Sequence, residues 1–80
     1  MDTKEVTSLF KDILEDKLGV SKSEIEMSAS LLDDLGADSL DMAVIIMSTE
    51  MDFGIEISDN EAMTLKTVED CVNKIAEKLA

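Results

Sequence analysis

The spacing of apolar side chains predicts a first helix over residues 4–18. Apolar residues recur there three and four positions apart, which is the period of a helix with one face in a core, and Gly19 stands where a terminator is expected. We predict that this face enters the core with the side chains of Val6, Leu9, Phe10, Ile13, Leu14 and Leu18.

The segment after the first helix is predicted to be mainly a loop. Ser21 and Glu24 have the spacing of a capping box, but the run 27–30 weakens any continuous helix. We expect three leucines to anchor this loop to the core: Leu31, Leu32 and Leu35.

The second predicted helix, about residues 39–52, has two apolar stripes where most surface helices have one. The first stripe is suited to the core and consists of Ile45, Ile46, Thr49 and Phe53. The second follows the spacing i, i+4, i+7, i+11 and consists of Leu40, Val44, Met47 and Met51. An exposed apolar stripe on an acidic protein favours a docking surface, although helix packing that buries both stripes is the alternative.

Two further helices complete the pattern. Ser58 and Glu61 fit a capping box for a short third helix near residues 59–64, and Thr67 can cap a fourth helix that continues to the end of the chain. The apolar face of the fourth helix consists of Val68, Val72, Ile75, Ala76 and Leu79. The pattern predicts an all-α fold, a small four-helix bundle of antiparallel type with three longer helices and one short third helix, in one domain over residues 1–80.

The net charge of the chain limits the classes of partner that it is expected to bind. Nineteen acidic residues and seven lysines give a net charge of −12, and residues 23–65 contain eleven acids and no base. Such a chain repels nucleic acid and anionic membranes and favours basic protein surfaces, although an acidic run alone more often serves only solubility. A single cysteine, no secretory signal pattern and no apolar run longer than residues 42–47 lead us to expect a cytosolic monomer without membrane insertion.

Ser39 is the candidate functional residue. Asp38 is a good N-cap, and the small Gly36 and Ala37 precede it, so Ser39 is expected in the exposed first turn of the second helix. The positive end of a helix favours an anion, by about 0.3 to 1 kcal/mol for an exposed side-chain charge, so a phosphate ester suits this position. The simpler alternative is that Ser39 only supports the start of the helix and carries no attached group.

Catalytic and metal-binding functions fit the sequence poorly. A serine nucleophile needs a base, but the chain has no histidine and no lysine within 16 residues of Ser39, so we predict no enzymatic activity. Asp38 and Asp41 are better explained as cap and first-turn acid than as cation ligands, and the other acidic clusters lack EF-hand spacing, so we predict no metal site. Cys71 falls near the apolar face of the fourth helix and is expected to be a buried small hydrophobe.

The order of these segments resembles the acyl carrier protein family, in its freestanding bacterial form. The likeness covers nearly all 80 residues and includes the family's Asp-Ser-Leu motif at residues 38–40, with flanking matches at 31–36, 50–57 and 67–70. The resemblance implies that a phosphopantetheinyl transferase uses coenzyme A to place 4′-phosphopantetheine on Ser39, between Asp38 and Leu40. The arm would then carry acyl chains as thioesters.

The resemblance also implies the partners, which are enzymes of acyl-chain synthesis and transfer in fatty acid or related lipid or polyketide synthesis. Their basic or apolar patches are expected to dock on the second helix at Asp41, Val44, Met47, Glu50 and Met51. An acidic helical interaction module without a covalent group is the alternative from another class of protein.

The chain departs from the family pattern at four positions. Glutamate is usual where this chain has Val44 and Met51, a large apolar residue where it has Thr49, and proline where it has Ser58. We expect the first two changes to shift docking from electrostatic steering toward apolar contact. Met27, Met42, Met47, Met51 and Met63 either adapt around different acyl chains or are ordinary core and surface residues.

Overall fold

The computed structural model describes all residues 1–80, and its regular structure is helical. The four α-helices are α1 (Thr3–Leu18), α2 (Ser39–Phe53), α3 (Asp59–Ala62) and α4 (Val68–Leu79), with a single 3₁₀ turn at Lys22–Glu24. The prediction of an all-α fold with three longer helices and a short third one is therefore confirmed.

Local capping determines where the helices begin. The side chains of Asp2, Asp38, Ser58 and Thr67 each accept a hydrogen bond from the backbone three residues later, and the last three complete capping boxes. The capping box predicted at Ser21 is wrong. Ser21 makes no capping bond because the Glu24 N–H donates to the Ser21 backbone carbonyl (2.9 Å), and the Ser21 hydroxyl is hydrogen-bonded to that of Ser23 (3.2 Å).

The core receives residues from all three long helices and from the loop before α2. Its fully buried side chains are Val6, Phe10, Leu14, Leu31, Ile45, Val68, Val72 and Ile75. Three predicted core leucines are exposed instead. Leu9 lies at the edge of the α1 stripe, Leu79 lies in the last turn of the chain, and Leu32 follows the buried Leu31 in a turn that directs it outward.

The long connection before α2 is tied to the connection before α4. The Leu31 N–H donates to the Lys66 carbonyl (3.0 Å) and the Val68 N–H donates to the Ala29 carbonyl (3.1 Å), around an isolated antiparallel bridge between Ser30 and Thr67. These bonds fix the loop that delivers the chain to the start of α2.

Candidate functional site

Ser39 is the first residue of α2, as predicted, and its side chain is exposed. The hydroxyl makes no hydrogen bond within the protein, and the N–H groups of Ser39 and Leu40 have no acceptor. An exposed oxygen therefore stands beside two free backbone donors at the positive end of a helix, an environment that favours a phosphate ester.

Asp38 and Asp41 fix the position of Ser39 between them. The Asp41 N–H donates to Asp38 Oδ1 (2.9 Å), and the Asp38 N–H donates to Asp41 Oδ2 (3.2 Å). A cap of this kind stabilises a helix by about 1 kcal/mol. The structure thus supports the capping role of both carboxylates, and no cluster of three or more potential metal ligands occurs in the protein.

The backbone just before Asp38 adopts one conformation that needs glycine. Gly36 has a φ of +74°, in the left-handed region, while open space surrounds the position of a Cβ. The constraint is therefore on the backbone and not on volume. The next residue, Ala37, is buried, and its N–H donates to the Leu31 carbonyl (2.9 Å), which anchors the chain directly before the helix.

The two stripes of α2 have different environments. Ile45, Thr49 and Phe53 are buried and Ile46 is half-buried, so the first stripe faces the core as predicted. The second stripe, called the outer stripe below, lies on the surface, with exposures of 78% for Leu40, 44% for Val44, 59% for Met47 and 79% for Met51. The alternative in which packing buries both stripes is wrong.

A groove of about 520 Å³ opens beside Ser39. One of its sides is α2, and the other is α3 with its flanking residues. Its lining consists of Leu32, Ser39, Met42, Ala43, Ile46, Met47, Glu50, Ile57, Asp59, Ala62, Met63, Leu65 and Lys66. Met42, Met47 and Met63 line this Ser39 groove, whereas Met27 and Met51 do not.

A small void lies behind the Ser39 groove. Its volume is about 10 Å³, no more than one water molecule needs, and its deeper lining includes Phe10, Thr49 and Cys71. Met42, Ile46, Ile57 and Leu65 line both spaces, so a single layer of side chains separates the groove from the core.

Two contributions to the site were missed by sequence reasoning. Lys66 lines the Ser39 groove although it lies far from Ser39 along the chain, and so brings a cation into an otherwise acidic region. Glu50, predicted only as a docking residue, accepts a hydrogen bond at Oε2 from the Ile57 N–H (2.8 Å). Neither contact follows a helical or capping spacing, so the sequence contained no local signal for it.

Cys71 is buried in α4, as predicted. Burial, with a smaller effect from the nearby Asp70 carboxylate, raises the pKa of its thiol to about 12. The thiol is therefore neutral near pH 7 and behaves as a small apolar side chain. None of the helices is both long enough and apolar enough to cross a membrane.

Comparisons with known proteins agree with this site. The family described as phosphopantetheine attachment site matches residues 8–75. An acyl carrier protein of Clostridium acetobutylicum is 51% identical over 65 residues, which are 81% of this chain and 84% of that protein. One of Thermotoga maritima is 43% identical over 75 residues, which are 94% of this chain and 93% of that protein.

A solved structure extends the likeness to the fold. The acyl carrier protein from Enterococcus faecalis superposes with a TM-score of 0.83 at 28% identity, over 98% of this chain and 99% of that one. The family match spans Ser39 and most of all four helices, and the sequence relatives span most of their own lengths. The chain therefore belongs to the acyl carrier protein family, whose members are defined by a phosphopantetheine attachment site.

Proposed function

We propose that this chain is a cytosolic, monomeric acyl carrier protein, one domain over residues 1–80, that takes 4′-phosphopantetheine on Ser39. The observation that supports Ser39 is its exposed hydroxyl, which has no hydrogen bond within the protein and begins a helix capped by Asp38. When bound, the group supplies a terminal thiol on which acyl chains are held as thioesters.

The chain supplies the nucleophile for its own modification but not the base. The Ser39 oxygen forms a new bond to phosphorus, the phosphoanhydride bond of coenzyme A breaks, and the nucleotide half leaves. The chain has no histidine, and Asp38 and Asp41 each use an oxygen to cap the backbone. The transferase must therefore accept the serine proton, and the carrier itself is not an enzyme.

The docking surface in this proposal is the outer stripe with Asp41 and Glu50 beside it. Exposed apolar side chains surrounded by carboxylates fit a partner that presents an apolar patch ringed by lysine or arginine. The expected partners are the phosphopantetheinyl transferase and enzymes of fatty acid or related lipid or polyketide synthesis. Leu40, next to the attachment residue and mostly exposed, is the stripe residue nearest to the chemistry.

Intact mass spectrometry tests the attachment. Incubation with a phosphopantetheinyl transferase and coenzyme A is expected to add the mass of one phosphopantetheine group to the wild type and nothing to Ser39→Ala. Ser28→Ala, which removes another exposed serine hydroxyl, is the matched control and should be modified like the wild type. Circular dichroism checks that both variants fold.

The possible results separate the functions. An unmodified wild type would reject the carrier function and leave the acidic interaction module as the better explanation. Modification of Ser39→Ala would reject the assigned residue but not the carrier function.

A further inference from the structure

Ser39 lies next to two apolar surfaces that differ in their nearby charge. It lines the Ser39 groove, and it directly precedes Leu40, at which the outer stripe begins. A group attached to the serine oxygen therefore has both the groove and the outer stripe beside it. Charged side chains near each surface favour one of the two for an anionic group.

The positive charge near Ser39 is confined to the groove. Lys66 is the one basic residue among the side chains that line the groove. The helix α2 has no base at all, because it lies within the stretch 23–65 that contains none. Lys17 of α1 approaches α2 only near Asp52, toward the other end of the helix, and is paired there with Asp16 (3.2 Å).

The ammonium group of Lys66 is available to an anion. The residue is exposed, and its side chain makes no ion pair and no hydrogen bond within the protein. The other two lysines without an ion pair, Lys4 and Lys11, line a separate cavity on α1. Four lysines are paired with carboxylates: Lys17, Lys22, Lys74 and Lys78. Lys66 is therefore the one unpaired lysine in the groove.

The backbone of Lys66 is held on both sides. Its carbonyl accepts from the Leu31 N–H (3.0 Å), and its own N–H donates to Asp70 Oδ2 (3.0 Å). The preceding residue, Leu65, is buried and also lines the groove. These contacts fix the base of the Lys66 side chain at the groove and leave its ammonium group unpaired.

The groove would repel an anion without Lys66. Its lining contains two carboxylates, Glu50 and Asp59. Glu50 accepts a hydrogen bond from the Ile57 N–H (2.8 Å), and neither carboxylate is paired with Lys66. A preference of an anionic group for the groove therefore depends on this lysine.

We propose that Lys66 is a positioning residue that attracts the phosphodiester of a group attached to Ser39 and so directs that arm along the groove, away from the outer stripe. An ammonium group pairs well with phosphate oxygens as a compact point charge. Every phosphopantetheine on a serine contains this anion, whatever acyl chain it holds. The outer stripe is then left uncovered for docking. This inference rests on the proposed function, because it requires attachment at Ser39.

A spin label on the arm measures its direction. The wild type is first loaded with the transferase and coenzyme A, and a maleimide nitroxide is then coupled to the thiol of the attached group. Cys71 does not compete, because burial raises the pKa of its thiol to about 12. Methyl NMR compares signal broadening at Ala62 and Met63 in the groove with broadening at Val44 and Met51 on the outer stripe, relative to the ascorbate-reduced sample.

The wild type is expected to show stronger broadening in the groove. Lys66→Gln should lower the ratio of groove to outer broadening about twofold, the effect of an exposed ion pair. Lys66→Arg keeps the charge and should keep the ratio. Raising sodium chloride from about 10 to 150 mM should lower the ratio in the wild type more than in Lys66→Gln.

Lys4→Gln is the matched control. It removes an exposed, unpaired lysine from α1 and changes the net charge by the same amount, so it should leave the ratio unchanged. Circular dichroism checks that all variants fold.

The results distinguish the two proposals. Equal broadening of both surfaces in the wild type, or an unchanged ratio in Lys66→Gln, would overturn the inference and leave the carrier function standing. An equal fall of the ratio in Lys4→Gln would assign the effect to net charge and overturn the inference as well. A wild type that takes no phosphopantetheine would reject both proposals, and mass spectrometry establishes this before any label is added.

Discussion

A serine can accept a new covalent group only if its hydroxyl is not already used by the fold. Ser58 is an N-cap and its oxygen accepts from the Glu61 N–H, while the Ser30 oxygen accepts from the Asp33 N–H. Ser39 lies one position after a cap, so Asp38 performs the capping and the serine oxygen stays free. One residue of register thus separates a serine that caps a helix from a serine whose hydroxyl stays free for the attachment proposed at Ser39.

Hydrogen-bond partners also decide the role of Thr49, the one polar residue that is buried. Its hydroxyl donates to the Ile45 carbonyl (2.8 Å), which the helix already pairs with a backbone N–H. Thr49→Val should therefore leave the free energy of unfolding unchanged or raise it by up to about 1 kcal/mol, since no polar group becomes unpaired. Urea unfolding measures the change.

Thr49→Ala is the matched comparison, because it removes a buried methyl group beside an existing void. It should lower the free energy of unfolding by about 0.8 kcal/mol or more. A loss of that size in Thr49→Val would contradict the prediction and would show that the hydroxyl itself supports the core.

At the scale of helices, the residues at which helices begin were predictable from the sequence, whereas contacts between separate segments were not. The starts of α2, α3 and α4 followed from Asp38, Ser58 and Thr67 because a cap and its N–H donors lie within four residues. The outer stripe was visible because its spacing is helical. By contrast, the Glu50 contact with Ile57 and the presence of Lys66 in the groove depend on how separate segments meet in space.

The ion pair between α3 and α4 predicts a specific response to acid. The hydrogen bond from Lys78 and then the backbone N–H of Ser58 lower the pKa of Glu61 from 4.5 to about 2. The folded state therefore binds a proton at the Glu61 carboxylate less tightly than the unfolded state does. The charged Glu61 carboxylate stabilises the fold fully above pH 4.5. Its contribution is lost as the pH falls toward 2.

Glu61→Gln isolates this effect. The difference in free energy of unfolding between wild type and variant should be constant from pH 7 to 4.5 and shrink between 4.5 and 2, in urea titrations at constant ionic strength. Asp70, whose pKa is lowered by the Thr67 and Lys66 N–H groups, keeps the variant itself sensitive to acid, so the difference is the informative quantity. The same difference measured in a Lys78→Met background should depend less on pH, and an equal dependence would contradict the assigned cause.

At the scale of the whole molecule, charge and size set the range of self-repulsion. The net charge is −12, and the molecule measures 29 × 26 × 19 Å. At about 10 mM ionic strength the Debye length is roughly 30 Å, so nearly every carboxylate repels every other. At about 150 mM it is roughly 8 Å, and only neighbouring charges interact. The excess negative charge therefore destabilises the fold most at low salt.

This balance predicts that sodium chloride raises the melting temperature, steeply between about 10 and 150 mM and weakly above, because screening is then nearly complete. Val44→Glu with Met51→Glu is the sharp comparison, since it adds two negative charges to the net charge of −12 on exposed positions of α2. The double variant should melt below the wild type at low salt and approach it as salt increases. Calorimetry measures both curves. A wild-type melting temperature that does not change over the low-salt range would show that the charges are too well dispersed to repel. If the curves of wild type and double variant stay parallel at all salt concentrations, the lower melting temperature of the double variant would be due to lost apolar contacts.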